Sequence, residues 1–261
     1  MEKHDLRKQF PKIYSKNGGK GEKTYLLLHG LGATGDVWHG LRDLIDEKNT
    51  GQWIIPDLRG HGRSEWSNTY GLGEHCNDIA KLISNKKRVI IVGHSMGGLI
   101  GLALATRWFG ADIAGAIVIG TIINWDKANT QKSNELAQKP IRWFKKKEDA
   151  IERYLKVSGL YGLVPPDSDQ AISGIIKEKN KYRLAADNAV GTIGGPWMKI
   201  FLDIVECPKV LATGEYDTIV PAKDYLNYNP NSVIIPKVAH NAHVENPQTI
   251  LDLINQLQQK I

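Results

Sequence analysis

Ser95, Asp217 and His240 are the residues of this chain whose types and order could carry acyl-transfer chemistry. A serine hydroxyl is a poor nucleophile until a base takes its proton. Histidine has the near-neutral pKa that such a base needs. A carboxylate must in turn fix the imidazole tautomer and stabilise its positive charge. Ser95 stands in Gly93-His94-Ser95-Met96-Gly97-Gly98, a Gly-x-Ser-x-Gly pattern. A chain that turns from strand to helix over so few residues strains its apex and exposes the apical side chain. Glycine is needed on both sides because a Cβ there would meet neighbouring backbone. The helix that follows adds the positive end of its dipole. Acyl transfer also needs donors aimed at a developing oxyanion. His29-Gly30-Leu31-Gly32 is a glycine-rich turn able to present a backbone N–H, so the N–H groups of Leu31 and Met96 are the expected pair.

These residues need a sheet to position them. Arg88-Val89-Ile90-Ile91-Val92 reads as a buried parallel strand before the elbow, and Leu99 to Ala105 as a buried helix after it. Thr24 to Leu28 is an apolar strand running into His29-Gly30, and Thr34 or Asp36 can cap the helix bearing Val37, Trp38 and Leu41. Trp53 to Pro56 is the next strand, and a helix from about Gly73 to Ser84 leads back to the elbow strand. Successive strand–helix units imply parallel pairing with right-handed crossovers. Between them lies Asp57-Leu58-Arg59-Gly60-His61-Gly62-Arg63-Ser64, read as a structural loop braced by charge-assisted hydrogen bonds of its Asp and Arg. Lys16-Asn17-Gly18-Gly19 is a turn signal that could close a short N-terminal hairpin.

Ala116 to Gly120 is another strand, after which the pattern breaks from residue 121 to about 205. No strand of convincing period lies there. Helical segments are expected near Pro140 to Val157 and Ser168 to Asn188, with a breaker cluster at Gly191 to Pro196. A long helical insertion between sheet strands reads as a lid. The expected division is therefore a core of residues 1–120 and 206–261 with a helical lid at 121–205. Trp125, Trp143, Phe144 and Trp197, with His29 and His243, are the candidate pocket residues. Lys209 to Gly214 and Ser232 to Ile235 complete the sheet, placing Asp217 and His240 just beyond strand ends. Sites gather there in open α/β sheets. Asn246 and Pro247 open a last helix with Ile250, Ile254 and Leu257 on its apolar face.

Composition narrows the partners. The 261 residues suffice for one large α/β domain, and 41% hydrophobic with 24% charged content is ordinary for a globular protein. The net charge of +6 is spread along the chain, and its densest run, Arg142 to Lys147, reads as a solvated helix face and not a nucleic-acid module. The two cysteines, Cys76 and Cys207, suggest neither a disulfide framework nor a metal site and read as buried thiols. Met1 to Lys8 has no apolar core of a secretory leader, and no apolar run reaches the length of a membrane span. A cytoplasmic location is the simplest expectation.

Four motifs in order are similar to those of the α/β-hydrolase fold: His29-Gly30, Asp57-x-Arg59-Gly60-x-Gly62-x-Ser64, Gly93-x-Ser95-x-Gly97-Gly98 and His240-x-x-x-x-Glu245-x-Pro247. The resemblance spans Thr24 to the C-terminus, leaving out the insertion. It implies a mostly parallel central sheet with helices on both faces, Ser95 as nucleophile, His240 as base and Asp217 as acid. The family's spacing from histidine to Glu-x-Pro selects His240 over His243. Some relatives carry the acid one strand earlier, which here would be Asp126. Ala239 stands where relatives often have glycine. The implied activity is cleavage of a carboxylic ester, on a small molecule with an apolar acyl or ring portion, without metal or cofactor. Thioesters, lactones and carbon–carbon bonds can be cut with the same triad. The segment 240–247 is also similar to that of the menaquinone-pathway synthases, which carry Arg where this chain has Leu99. A hydrolase-derived ligand receptor with little turnover is the alternative of another class. Dehalogenases and epoxide hydrolases of this fold use an Asp nucleophile, which Ser95 replaces.

Overall fold

Leu26 and Leu28 face one side of their strand and Tyr25 and Leu27 the other, and all four are fully buried. The period of two that alternates side chains across a strand thus serves two cores at once. The computed structural model describes residues 7–261; of the N-terminal stretch read above for a leader, residues 1–6 lie outside the described residues.

In chain order the strands are β1 (Arg7–Lys8), β2 (Ser15–Gly19), β3 (Thr24–Leu28), β4 (Gln52–Pro56), β5 (Trp66–Ser67), β6 (Val89–His94), β7 (Ile113–Ile119), β8 (Ile175–Glu178), β9 (Lys181–Leu184), β10 (Lys209–Gly214) and β11 (Val233–Ile235). The helices are α1 (His39–Glu47), α2 (Leu72–Leu82), α3 (Met96–Ala105), α4 (Lys127–Ala137), α5 (Lys147–Val157), α6 (Asp169–Ile172), α7 (Trp197–Ile204), α8 (Ala222–Tyr228), α9 (Ala242–Glu245) and α10 (Pro247–Gln258). Among the described residues the main sheet has seven strands in the order β11-β10-β7-β6-β3-β4-β2. Every pairing in it is parallel except that of β2 with β4. Side chains of α2, α3 and α7 fill the core on one face, and those of α1, α5 and α10 the core on the other. The central strand β6 and all of α3 are buried, so their sequences are apolar without alternation.

Three expectations are corrected. Residues 16–19 do not turn a hairpin: they are the edge strand β2, aligned antiparallel to β4 with Gly18 opposite Trp53. A Cβ on Gly18 would run into the Trp53 ring, so this glycine serves ring packing and not a turn. The insertion between β7 and β10 is not wholly helical. It holds α4 to α7, and it also carries the antiparallel hairpin β8–β9 across residues expected to be helical. Its charged, glycine-free strands turn at Lys179, which adopts φ 53°. Phe144 adds a bridge to Tyr182 on its edge. The helix expected from Pro140 begins only at Lys147.

Candidate active site

Ser95 is forced into its conformation by what surrounds it. It has φ 51° and ψ −116°, between the end of β6 and the first residue of α3. Its N–H donates to the Ile119 carbonyl at 2.8 Å, and its own carbonyl accepts from Thr121 Oγ1 at 2.7 Å. A Cβ on Gly93 would strike the backbone of Gly97, and one on Gly97 the backbone of Leu28. The glycines therefore allow strand, helix and the turn after β3 to approach within backbone contact. Gly30 matters likewise, since a Cβ there would sit 3.2 Å from that of Ser95. Ser95 is partly exposed and lines a cavity of about 600 Å³. Leu31 and Met96 line the same cavity. Met96 is the first residue of α3, so its N–H has no carbonyl one turn back. The Leu31 N–H donates to no backbone carbonyl among the described residues.

His240 borders this cavity too, and its Nδ1–H donates to Asp217 Oδ2 at 2.8 Å. A carboxylate accepts only, so it is Nδ1 that bears a proton in this hydrogen bond. Asp217 follows β10 in a tight turn that supplies further donors. Its Oδ1 accepts the N–H groups of Ile219 and Val220 at 2.8 and 2.9 Å, and its Oδ2 also accepts Thr213 Oγ1 at 3.2 Å. Burial by itself would raise this carboxyl's pKa; the hydrogen bond and charge of His240, with the two N–H groups, outweigh burial and hold it below the usual range. Gly120, at φ 57°, passes beside the pair, and a Cβ there would lie 3.3 Å from both Asp217 Oδ2 and His240 Nδ1. The His240 backbone is held as well. Its carbonyl accepts His94 Nε2–H at 2.9 Å, and the preceding Ala239 N–H donates to both oxygens of Glu245 at 3.0 Å. Asp126, the alternative acid, caps α4 by accepting the Asn129 N–H at 2.7 Å.

The structure brings Ser95, His240, Leu31, Met96 and Trp125 to one cavity and leaves several expected pocket residues away from it. Trp125 lies across Gly194, where a Cβ would meet its ring, and Nε1 donates to Thr130 Oγ1 at 2.9 Å. His29 is fully buried outside the lining: Nδ1–H donates to Gly30 O at 2.8 Å and Nε2 accepts Leu58 N–H at 2.9 Å. It ties two loops together and faces no ligand space. His243 is buried between Trp38 and His94, with ring centroids 4.4 and 4.3 Å away. Phe144 is buried against the β9 edge, while Trp143 and Trp197 are half-exposed outside the cavity. Aromatic content alone could not say which rings face inward.

Sequence reasoning missed His61 and Asn241. His61 Nε2 accepts the Gly32 N–H at 3.0 Å, which joins the 57–64 loop to the turn bearing Leu31. In that loop Asp57 is paired with Arg63 at 2.6 Å and accepts the Gly35 N–H at 2.7 Å, whereas Arg59 pairs with Asp78 on α2 at 2.7 Å. Asn241, next to His240, reaches the insertion. Neither contact leaves a local sequence signal, because each partner is remote in the chain.

Residues 25–253 match the alpha/beta hydrolase family, and the chain belongs to it. Among curated proteins it is similar to Lipase LipV of Mycobacterium tuberculosis, 34% identical over 90 residues that take in 34% of this chain and 33% of the lipase. The first such matches reach over only a quarter to a third of those relatives' lengths. A longer but more distant match is to a pimeloyl-[acyl-carrier protein] methyl ester esterase of Edwardsiella ictaluri, 21% identical over 88% of this chain and 91% of that protein. Among solved structures the thioesterase domain from the curacin biosynthetic pathway superposes with a TM-score of 0.77 at 19% identity, covering 94% of this chain and 95% of that one. That likeness shows the fold.

Proposed function

We propose that this protein is a serine hydrolase that cleaves carboxylic esters through Ser95, His240 and Asp217, with residues 121–205 as a lid over the site. The observation that carries this reading is the 2.8 Å hydrogen bond from His240 to a fully buried Asp217 carboxylate, beside a serine at φ 51° on the same cavity. His240 Nε2 takes the Ser95 proton as Oγ attacks the acyl carbon. The N–H groups of Leu31 and Met96 receive the developing oxyanion. The proton then passes from His240 to the leaving oxygen, which departs as an alcohol and leaves an acyl-enzyme. Water, deprotonated by His240, attacks that ester, and Ser95 leaves with the proton returned. Leu99, Ile122, Met198 and Ile219 among the lining residues favour an apolar acyl or ring portion. Leu99 on the cavity wall stands where the synthase reading needs Arg, and the lining cation Lys156 is paired with Glu152.

The test is intact-mass labelling with a fluorophosphonate beside turnover of p-nitrophenyl esters of increasing acyl length. A single adduct on Ser95 with length-dependent turnover is expected. An adduct without ester turnover would move the activity to another reaction or to ligand sensing, and no adduct on folded protein would overturn the nucleophile.

A further inference from the structure

We propose that Asn241 is a positioning residue that keeps the lid wall of the cavity in register with His240; this rests on the reading of His240 as the base. Asn241 is 4% exposed and immediately follows His240. Its Nδ2 donates one hydrogen to the Ser158 carbonyl and the other to the Gly159 carbonyl, both at 3.1 Å. These are carbonyls just past the end of α5, where the helix leaves acceptors without intrahelical partners. Val157, Ser158 and Gly159 form one wall of the cavity that Ser95 and His240 also line.

The fit at this junction is close. Gly159 has φ 71°, and a Cβ on it would come within 2.7 Å of Asn241 Nδ2. Asn241 is itself anchored on the core side, because its carbonyl accepts the N–H groups of Val244 and Glu245 at 2.8 and 3.0 Å. The segment 239–241 is thus tied in three directions. Glu245 holds Ala239, His94 of the elbow strand holds His240, and Asn241 holds the insertion. One short segment thereby sets both the position of the base and the position of the wall against which a substrate rests. An amide is the side chain this place requires. It offers two hydrogens from one nitrogen to two carbonyls, whereas a carboxylate would set oxygen against oxygen.

The experiment compares wild type with Asn241→Ala, with rates expressed per Ser95 titrated by fluorophosphonate so that misfolded material does not count. The KM for p-nitrophenyl octanoate should rise about tenfold, with a change of about threefold or less for the acetate, as expected for two lost hydrogen bonds that act on the wall and not on the reacting atoms. Amide exchange across residues 158–164 should quicken, because the Leu160 and Tyr161 N–H groups bond back to the Leu155 carbonyl and close the end of α5. Gly159→Ala should shift the same two readouts, and the double variant should be non-additive with the singles. Unchanged octanoate-to-acetate KM ratio and unchanged exchange in Asn241→Ala would overturn the proposal. Should wild type neither label nor turn over esters, the ester reading fails on its own; exchange then decides the latch, faster exchange supporting it and equal exchange overturning it.

Discussion

Ser95 combines the proposed chemistry with a conformational cost. At φ 51° and ψ −116° a side chain crowds its own backbone, and such positions cost about 1–3 kcal/mol. Ser95→Ala keeps the Cβ and the strain, while Ser95→Gly removes both. Each should abolish turnover. Ser95→Gly should nevertheless unfold at a higher denaturant concentration than Ser95→Ala, by about 1 kcal/mol after the greater chain entropy of glycine is taken off. Equal midpoints would show that the elbow is not strained. This conformation was legible in Gly93-x-Ser95-x-Gly97, because only a crowded turn needs glycine on both sides. The isolation of His243 was not legible: its neighbours Trp38 and His94 come from distant parts of the chain.

At the scale of elements, two carboxylates that look alike in sequence do different work. Asp126 and Asp217 each follow a strand end, but the chain after Asp126 becomes α4 and uses it as a helix cap. The chain after Asp217 turns back and donates two N–H groups to it, leaving Oδ2 toward His240. Asp126→Ala should therefore cost about 1 kcal/mol of stability, the usual worth of a cap, and leave ester turnover intact. Asp217→Asn should lower kcat by several orders of magnitude, because an amide lets the imidazole take the wrong tautomer. Chemical denaturation together with steady-state kinetics on both variants checks this, and the reverse pattern would move the acid to Asp126. The insertion was the least legible element. Its four-residue strands bury little, with Ile175 and Leu184 only partly covered and a charged Arg183 turned inward, so no apolar alternation marks them and pairing with each other and with Phe144 decides their state.

The whole molecule carries an acid liability from its histidines. Burial, the largest cause in each case, lowers the pKa of His29, His61, His75, His94 and His243, and takes His61 and His243 to about 3. These rings stay neutral in the folded state while the unfolded chain protonates them from about pH 6.5 downward. Stability is therefore fully present above that pH and declines as pH falls toward the folded pKa values. By pH 5, His61 and His243 each withdraw about 2 kcal/mol. Asp57 and Asp217, whose pKa values lie below the ordinary carboxylate range, hold their contribution until lower pH and lose it as pH falls through their folded values. Urea midpoints should thus drop steeply between pH 6.5 and 5. His243→Phe should flatten that limb by about one proton, since neither ring nitrogen of His243 has a hydrogen-bond partner among the described residues. A stability that does not change with pH in this range would refute this account.

The sequence by itself determined the parallel α/β core and the place of the elbow. Buried strands and helices announce themselves through contiguous apolar runs, and a strained turn through its glycines, all of them local signals. Only the tertiary structure decided that Gly18 makes room for Trp53, that His29 and His61 brace loops, that Trp125 faces the cavity while Trp143 does not, and that Asn241 reaches α5. Each of these depends on which distant segments the sheet order sets side by side. A hydrogen bond across 82 residues, such as that from Asn241 to Gly159, leaves no trace in the spacing of its neighbours.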